Sequence, residues 1–132
     1  MNLTDHFTLA EMACHDGAQV PQLLIANARR LAEQLEVLRA ELGLPIHVMS
    51  GYRSPAYNKA CGGAKASQHL VAKAADIQVA GIKPSTVHAV ILRLIGEGKM
   101  HDGGVGLYRG FVHVDVREHP ARWDLSGAKS GA

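Results

Sequence analysis

The run Phe111-Val112-His113-Val114-Asp115-Val116 constrains this chain more than any other stretch. Successive side chains of an extended strand point to opposite faces, so Val112, Val114 and Val116 share one face while His113 and Asp115 share the other. Such a strand needs neighbours in a sheet and an apolar layer beneath its valine face. Val105-Gly106-Leu107-Tyr108 precedes it across Arg109-Gly110, which predicts a hairpin. Ile46-His47-Val48-Met49-Ser50 alternates in the same way, and Asp76-Ile77-Gln78-Val79 reads as a further strand.

Helices supply the apolar layer. Between Pro21 and Leu42, the side chains of Leu24, Leu31, Leu35, Leu38 and Leu42 fall on one stripe, with Pro21 suited to the first turn and Gly43 to the C-terminal cap. A second helix is predicted from Ser85 to Gly96, burying Val87, Val90, Ile91, Leu94 and Ile95. Shorter helical pieces are expected after the capping box Thr8-Leu9-Ala10-Glu11, ending before Asp16-Gly17, and from Pro55 to Ala60, ending at Gly62-Gly63. With 132 residues, 47% of them hydrophobic, and no internal repeat, the chain suits one domain over residues 1–125. A Gly/Ala/Ser-rich tail, expected to be flexible, follows over 126–132. The fold class is α+β, a central, mainly antiparallel sheet flanked by two longer helices.

Several function classes drop out. A formal charge of +2, without basic runs interleaved with aromatics, gives no nucleic-acid footprint. No apolar run approaches the roughly 20 residues that cross a bilayer, so no membrane insertion is expected. Met1 to His6 lacks the basic start and apolar core of a secretory signal, which implies synthesis in the cytoplasm. The glycines from Gly96 to Gly106 do not end in Gly-Lys-Ser/Thr, which argues against a phosphate loop. Cys14 and Cys61 are too few for a thiolate metal site; unpaired thiols are the favoured reading, and a disulfide requires the fold to bring them together.

The chemistry concentrates in Ser67-Gln68-His69-Leu70-Val71-Ala72-Lys73-Ala74-Ala75-Asp76 and in His113. Two imidazoles and a carboxylate can hold zinc and leave a fourth position open, the hallmark of catalytic rather than structural zinc. For that, His113 must sit beside Asp76 in the sheet. By spacing alone the signal is weak, and a pair of histidines with an aspartate in a small protein is more often a set of hydrogen-bonded surface groups.

The blocks Phe7-Thr8-Leu9-Ala10-Glu11-Met12, Ser50-Gly51-Tyr52-Arg53-Ser54, Asn58, Gly62-Gly63-Ala64, Ser67-x-His69, Ala74-x-Asp76, Gly104-Val105-Gly106, His113-Val114-Asp115 and Arg122-Trp123 occur in an order that resembles peptidase family M15. These are zinc D-alanyl-D-alanine carboxypeptidases and murein endopeptidases, and the similarity is to their small phage and prophage branch. The resemblance implies a hedgehog/D-Ala-D-Ala-peptidase-like fold and one Zn²⁺ ion held by His69, Asp76 and His113. It implies that Arg53 pairs with a substrate carboxylate or carbonyl oxygen, and that Ser67 supports the ligand loop or binds substrate. The implied substrates are peptidoglycan stem peptides, cut by a monomeric enzyme that phage machinery delivers to the cell wall. Members usually carry Gly at the position of Ala72, and an acid three residues before the last histidine, where this chain has Gly110. The candidate general bases are therefore Asp115 first, then His101 and Asp102. Gly110 also keeps open a non-catalytic zinc-containing wall-binding or tail-assembly module, and a third alternative is a structural zinc site.

Overall fold

The computed structural model describes residues 1–127; most of the expected tail lies outside them. A 3-10 turn at Ala10–Met12 replaces the first expected helix, although its capping box forms. The Thr8 amide donates to Glu11 Oε1 at 2.9 Å and the Glu11 amide donates to Thr8 Oγ1 at 3.2 Å. A second 3-10 turn, Gln22–Leu24, leads into helix α1, Ile25–Leu42. This helix buries Ala28, Leu31, Ala32, Leu35 and Leu38 and stops at Gly43, whose φ of 68° forms the left-handed C-terminal cap.

Strand β1, His47–Ser50, follows, then helix α2, Pro55–Ala60, started by the Ser54 hydroxyl accepting from the Tyr57 amide at 3.1 Å. A 3-10 turn at Gln68–Val71 runs into strand β2, Ala74–Gln78. Helix α3, Pro84–Gly96, buries Val87, Ile91 and Leu94. Strands β3, Gly104–Leu107, and β4, Val112–Asp115, form the expected hairpin, and strand β5, Ala121–Asp124, was not anticipated.

The sheet order is β1-β2-β4-β3-β5. The β1–β2, β2–β4 and β3–β4 pairs are antiparallel, while β5 lies parallel to β3, so the sheet is mixed. On one face Val48, Ile77, Val112 and Leu107 line up across four strands, beside Ala75, Val114 and Val105. Helix α3 packs on β3 and β4 and against α1, closing the core. The opposite face carries a second row, Ser50–Asp76–His113–Gly106–Trp123, one residue from each strand. Period-two alternation thus sends apolar side chains to the helices and polar ones to the other face. No helix among the described residues is long and apolar enough to cross a membrane.

Candidate metal centre

Asp76 and His113 are direct cross-strand partners on β2 and β4. His69 reaches them from the 3-10 turn before β2, whose start is fixed by Ser67 Oγ accepting from the His69 amide at 3.2 Å. The turn ends at Ala72, held at φ 57° and ψ 31°, the only non-glycine residue with positive φ among the described residues. This left-handed residue reverses the chain so that His69 and Asp76 face one point.

His69 Nε2 stands 3.3 Å and His113 Nδ1 3.2 Å from Asp76 Oδ1. All three side chains are buried, with candidate ligand atoms within 4.8 Å of one another. Donors about 2.1 Å from a tetrahedral zinc ion stand about 3.4 Å apart, and the two contacts of Asp76 Oδ1 with the histidine nitrogens match that spacing. The remaining ring nitrogens fit as well. His69 Nδ1 lies 2.7 Å from the Gly51 carbonyl, which can only accept, so Nδ1 carries the proton and Nε2 has its lone pair free. His113 Nε2 lies 2.7 Å from Asp115 Oδ2, which fixes the opposite tautomer and frees Nδ1. Each imidazole thus turns the nitrogen that could bind a metal inward because its other nitrogen is tied outward.

Burial works against the charge on Asp76, but hydrogen bonding with His113 and His69 holds its carboxyl far below the ordinary carboxylate range. Arg53, just after β1, places Nη2 3.4 Å from Asp76 Oδ2 and Nη1 3.4 Å from Asn58 Oδ1, while its buried Nε has no partner. Its amide donates to the His69 carbonyl at 3.0 Å, joining the two loops. These long side-chain contacts hold the guanidinium at the site and leave donor capacity for a substrate.

The cleft over this centre has a volume of about 610 Å³. Arg53, Ser67, His69, Asp76 and His113 line it, and so do Arg117 and Trp123, which the sequence did not single out as site residues. The expected base candidates do not line it. Asp115 has no side-chain exposure, and its oxygens accept from the Gly104 and Arg117 amides at 2.8 and 3.0 Å, from the Arg117 guanidinium and from His113. Burial again opposes the charge, but the bonds with His113 and Arg117 keep Asp115 strongly acidic. Its Oδ2 faces His113 Nε2, and none of its side chain is exposed to the cleft. His101 Nε2 is bonded to the Arg117 carbonyl at 2.6 Å, just after β4, and Asp102 is paired with Arg122 of β5, so both tie down the segment around these strands. Gly110 lines a separate cavity, and its carbonyl accepts from Gln78 Nε2 at 2.8 Å. Cys14 is buried, Cys61 is exposed at the cleft, and both are free thiols.

Trp123 completes the far wall. Its indole lies over Gly106, where a Cβ would overlap the ring, and its centroid is 4.9 Å from that of His113. Its Nε1 donates to the Tyr108 hydroxyl at 3.0 Å. Asp115 lies over Gly104 in the same way. The two glycines of β3 on this face therefore make room for the groups that surround His113.

A family model described as Peptidase M15 matches residues 5–115 of the 132. No curated protein matches the chain.

Proposed function

The chain belongs to peptidase family M15, and on that premise we propose that it is a zinc-dependent peptidase of peptidoglycan, hydrolysing peptide bonds that involve D-amino acids. The observation that carries the reading is the convergence of His69 Nε2, Asp76 Oδ1 and His113 Nδ1, each histidine tied at its other nitrogen. These three residues would hold one Zn²⁺ ion. Zinc in such an open site acts as a Lewis acid toward a carbonyl and brings the pKa of water down to about 7.

The chain's own residues do the rest. Arg53 offers a planar donor fork beside the centre, suited to a peptide carboxylate or to the oxygen of the amide being cut. Ser67 caps the turn that carries His69 and lines the cleft, which combines loop support with reach toward substrate. Asp115 keeps His113 in the tautomer that turns Nδ1 inward. The indole of Trp123 shields one side of the His113 ring from solvent.

The family's phage and prophage branch suggests a lysin brought to the wall by phage machinery, or a wall-remodelling enzyme, acting as a monomer. A second reading, a zinc-containing wall-binding or tail-assembly module without turnover, is favoured by one observation. Among the described residues that line the cleft, Asp76 is the sole carboxylate. Incubating the zinc-loaded protein with cross-linked peptidoglycan separates the two. The peptidase releases new amino groups, and His113→Ala or chelation abolishes the release; retained binding without any release supports the module. Mass spectrometry of the muropeptides formed then distinguishes carboxypeptidase from endopeptidase and identifies the cross-link.

A further inference from the structure

The cleft carries two guanidinium groups, of which Arg53 alone has a role in the proposed reaction. Along the sheet order, Arg53 enters from the β1 side of the His69–Asp76–His113 cluster, while Arg117 lies on the opposite side, against Trp123 of β5. Arg117 also lies beyond the segment that the family model matches.

Three features hold Arg117 in place. Its Nε bonds Asp115 Oδ1 at 2.9 Å and its Nη2 bonds Asp115 Oδ2 at 2.7 Å, a fork on a carboxylate that is itself fully buried. Its Cζ sits 5.4 Å from the centroid of the Trp123 ring, within cation–π range. Its carbonyl accepts from His101 Nε2. Yet 30% of the side chain stays exposed, and Arg117 lines the cleft. The pair with Asp115 engages Nε and Nη2, and Nη1 makes no hydrogen bond to any described residue. An arginine needed only to neutralise Asp115 has no use for an open donor in a cleft. A guanidinium fixed on two sides, with donor capacity facing a ligand, is a preorganised carboxylate receptor.

We infer that Arg117 is a second carboxylate-recognising residue, so that the peptides this cleft prefers carry one carboxylate on each side of the scissile amide, one toward Arg53 and one toward Arg117. The inference rests on the peptidase reading and narrows its substrate class to doubly acidic peptides. Among the described residues that line the cleft, Asp76 is the only acid, and the Asp115 carboxylate that pairs with Arg117 is fully buried behind it, so the surface a ligand meets presents guanidinium donors rather than competing carboxylates.

The test uses pairs of synthetic stem peptides that differ in one carboxyl group, free in one and a carboxamide in the other, placed on each side of the cleaved amide in turn. In the zinc-loaded wild-type protein, kcat/KM favours the free acid by about tenfold or more on both sides. In Arg117→Gln the preference falls to near unity on one side and persists on the other; Arg117→Lys retains part of it. Because each result is a ratio within one variant, loss of folded or zinc-loaded protein does not alter it. Unchanged preferences in Arg117→Gln, or a wild type indifferent to amidation on the Arg117 side, overturn the inference. If no peptide is cut, the peptidase reading fails instead, and calorimetric binding of the same pairs decides the role of Arg117. Tighter binding of the free acid in wild type, levelled in Arg117→Gln, supports it, and equal binding in both overturns it.

Discussion

Asp76 on β2 and His113 on β4 face each other directly across an antiparallel pair, with Oδ1 and Nδ1 3.2 Å apart. Strand pairing alone therefore brings together two of the three candidate metal ligands, and only His69 depends on a loop. The second interaction of His113, with Asp115 two residues further along the same strand face, places the candidate ligand and the carboxylate bonded to its other nitrogen within one element.

Replacing Asp115 with Asn tests whether that carboxylate positions His113 or accepts a proton. As a positioning group its loss lowers zinc affinity by about 10–100-fold, measured by competition with a chromophoric chelator. A proton acceptor would instead leave zinc affinity intact and lower kcat.

Gly106→Ala puts a methyl group into the Trp123 indole. The expected cost is about 1–3 kcal/mol of folding stability, measured by urea denaturation. Trp123 is the only tryptophan in the chain, so its fluorescence reports the same displacement at the His113 ring. An unchanged denaturation midpoint and emission spectrum would show that the indole does not occupy this place.

At Ala72 the backbone adopts a left-handed conformation that disfavours any residue with a Cβ by about 1–2 kcal/mol. Ala72→Gly removes that strain at the cost of a more flexible unfolded chain, and a net gain of about 0.5–1 kcal/mol is expected from denaturant unfolding. A loss of stability would mean that the buried methyl group contributes more than the strain costs.

Glu36 on α1 takes the His6 amide and the His6 Nδ1 contact, each at 2.7 Å, and so fastens the N-terminal segment to the helix. Burial raises its pKa, but the bonds with His6 outweigh this and hold it below the ordinary glutamate value. A carboxyl lowered by folding stabilises the protein above its unfolded pKa of about 4.3, and that contribution fades as pH falls through the folded value. Glu36→Gln should therefore be less stable at pH 7 by about 1 kcal/mol and show a shallower loss of stability in acid. Parallel stability curves for the two proteins would contradict this.

Much of this was legible in the sequence for one reason: alternation and helical periodicity report burial directly. The alternation of Val112 to Val116 placed His113 and Asp115 on one face, and the leucine stripe of α1 marked its buried side. The first helix shrank to a 3-10 turn because a capping box starts a helix without supplying the turns that sustain it. Strand β5 stayed hidden because Ala121-Arg122-Trp123-Asp124 is short and charged, and Arg117 and Trp123 acquire their places through it. The signal that could have revealed it was on β3, where both residues on the polar face, Gly104 and Gly106, lack side chains because neighbours lie over them. Asp115 reads as a candidate base from the sequence because spacing cannot show that Arg117 and the Gly104 amide occupy its oxygens.

Zinc held by His69, Asp76 and His113 is what would make this chain a peptidase. Stripping the protein with a chelator and adding Zn²⁺ in steps, while following amine release from peptidoglycan, tests it most directly. The expected result is no release at the start, a linear rise and a break at one zinc per chain, with His113→Ala flat throughout. Release by the stripped protein, or a full response in His113→Ala, would contradict it.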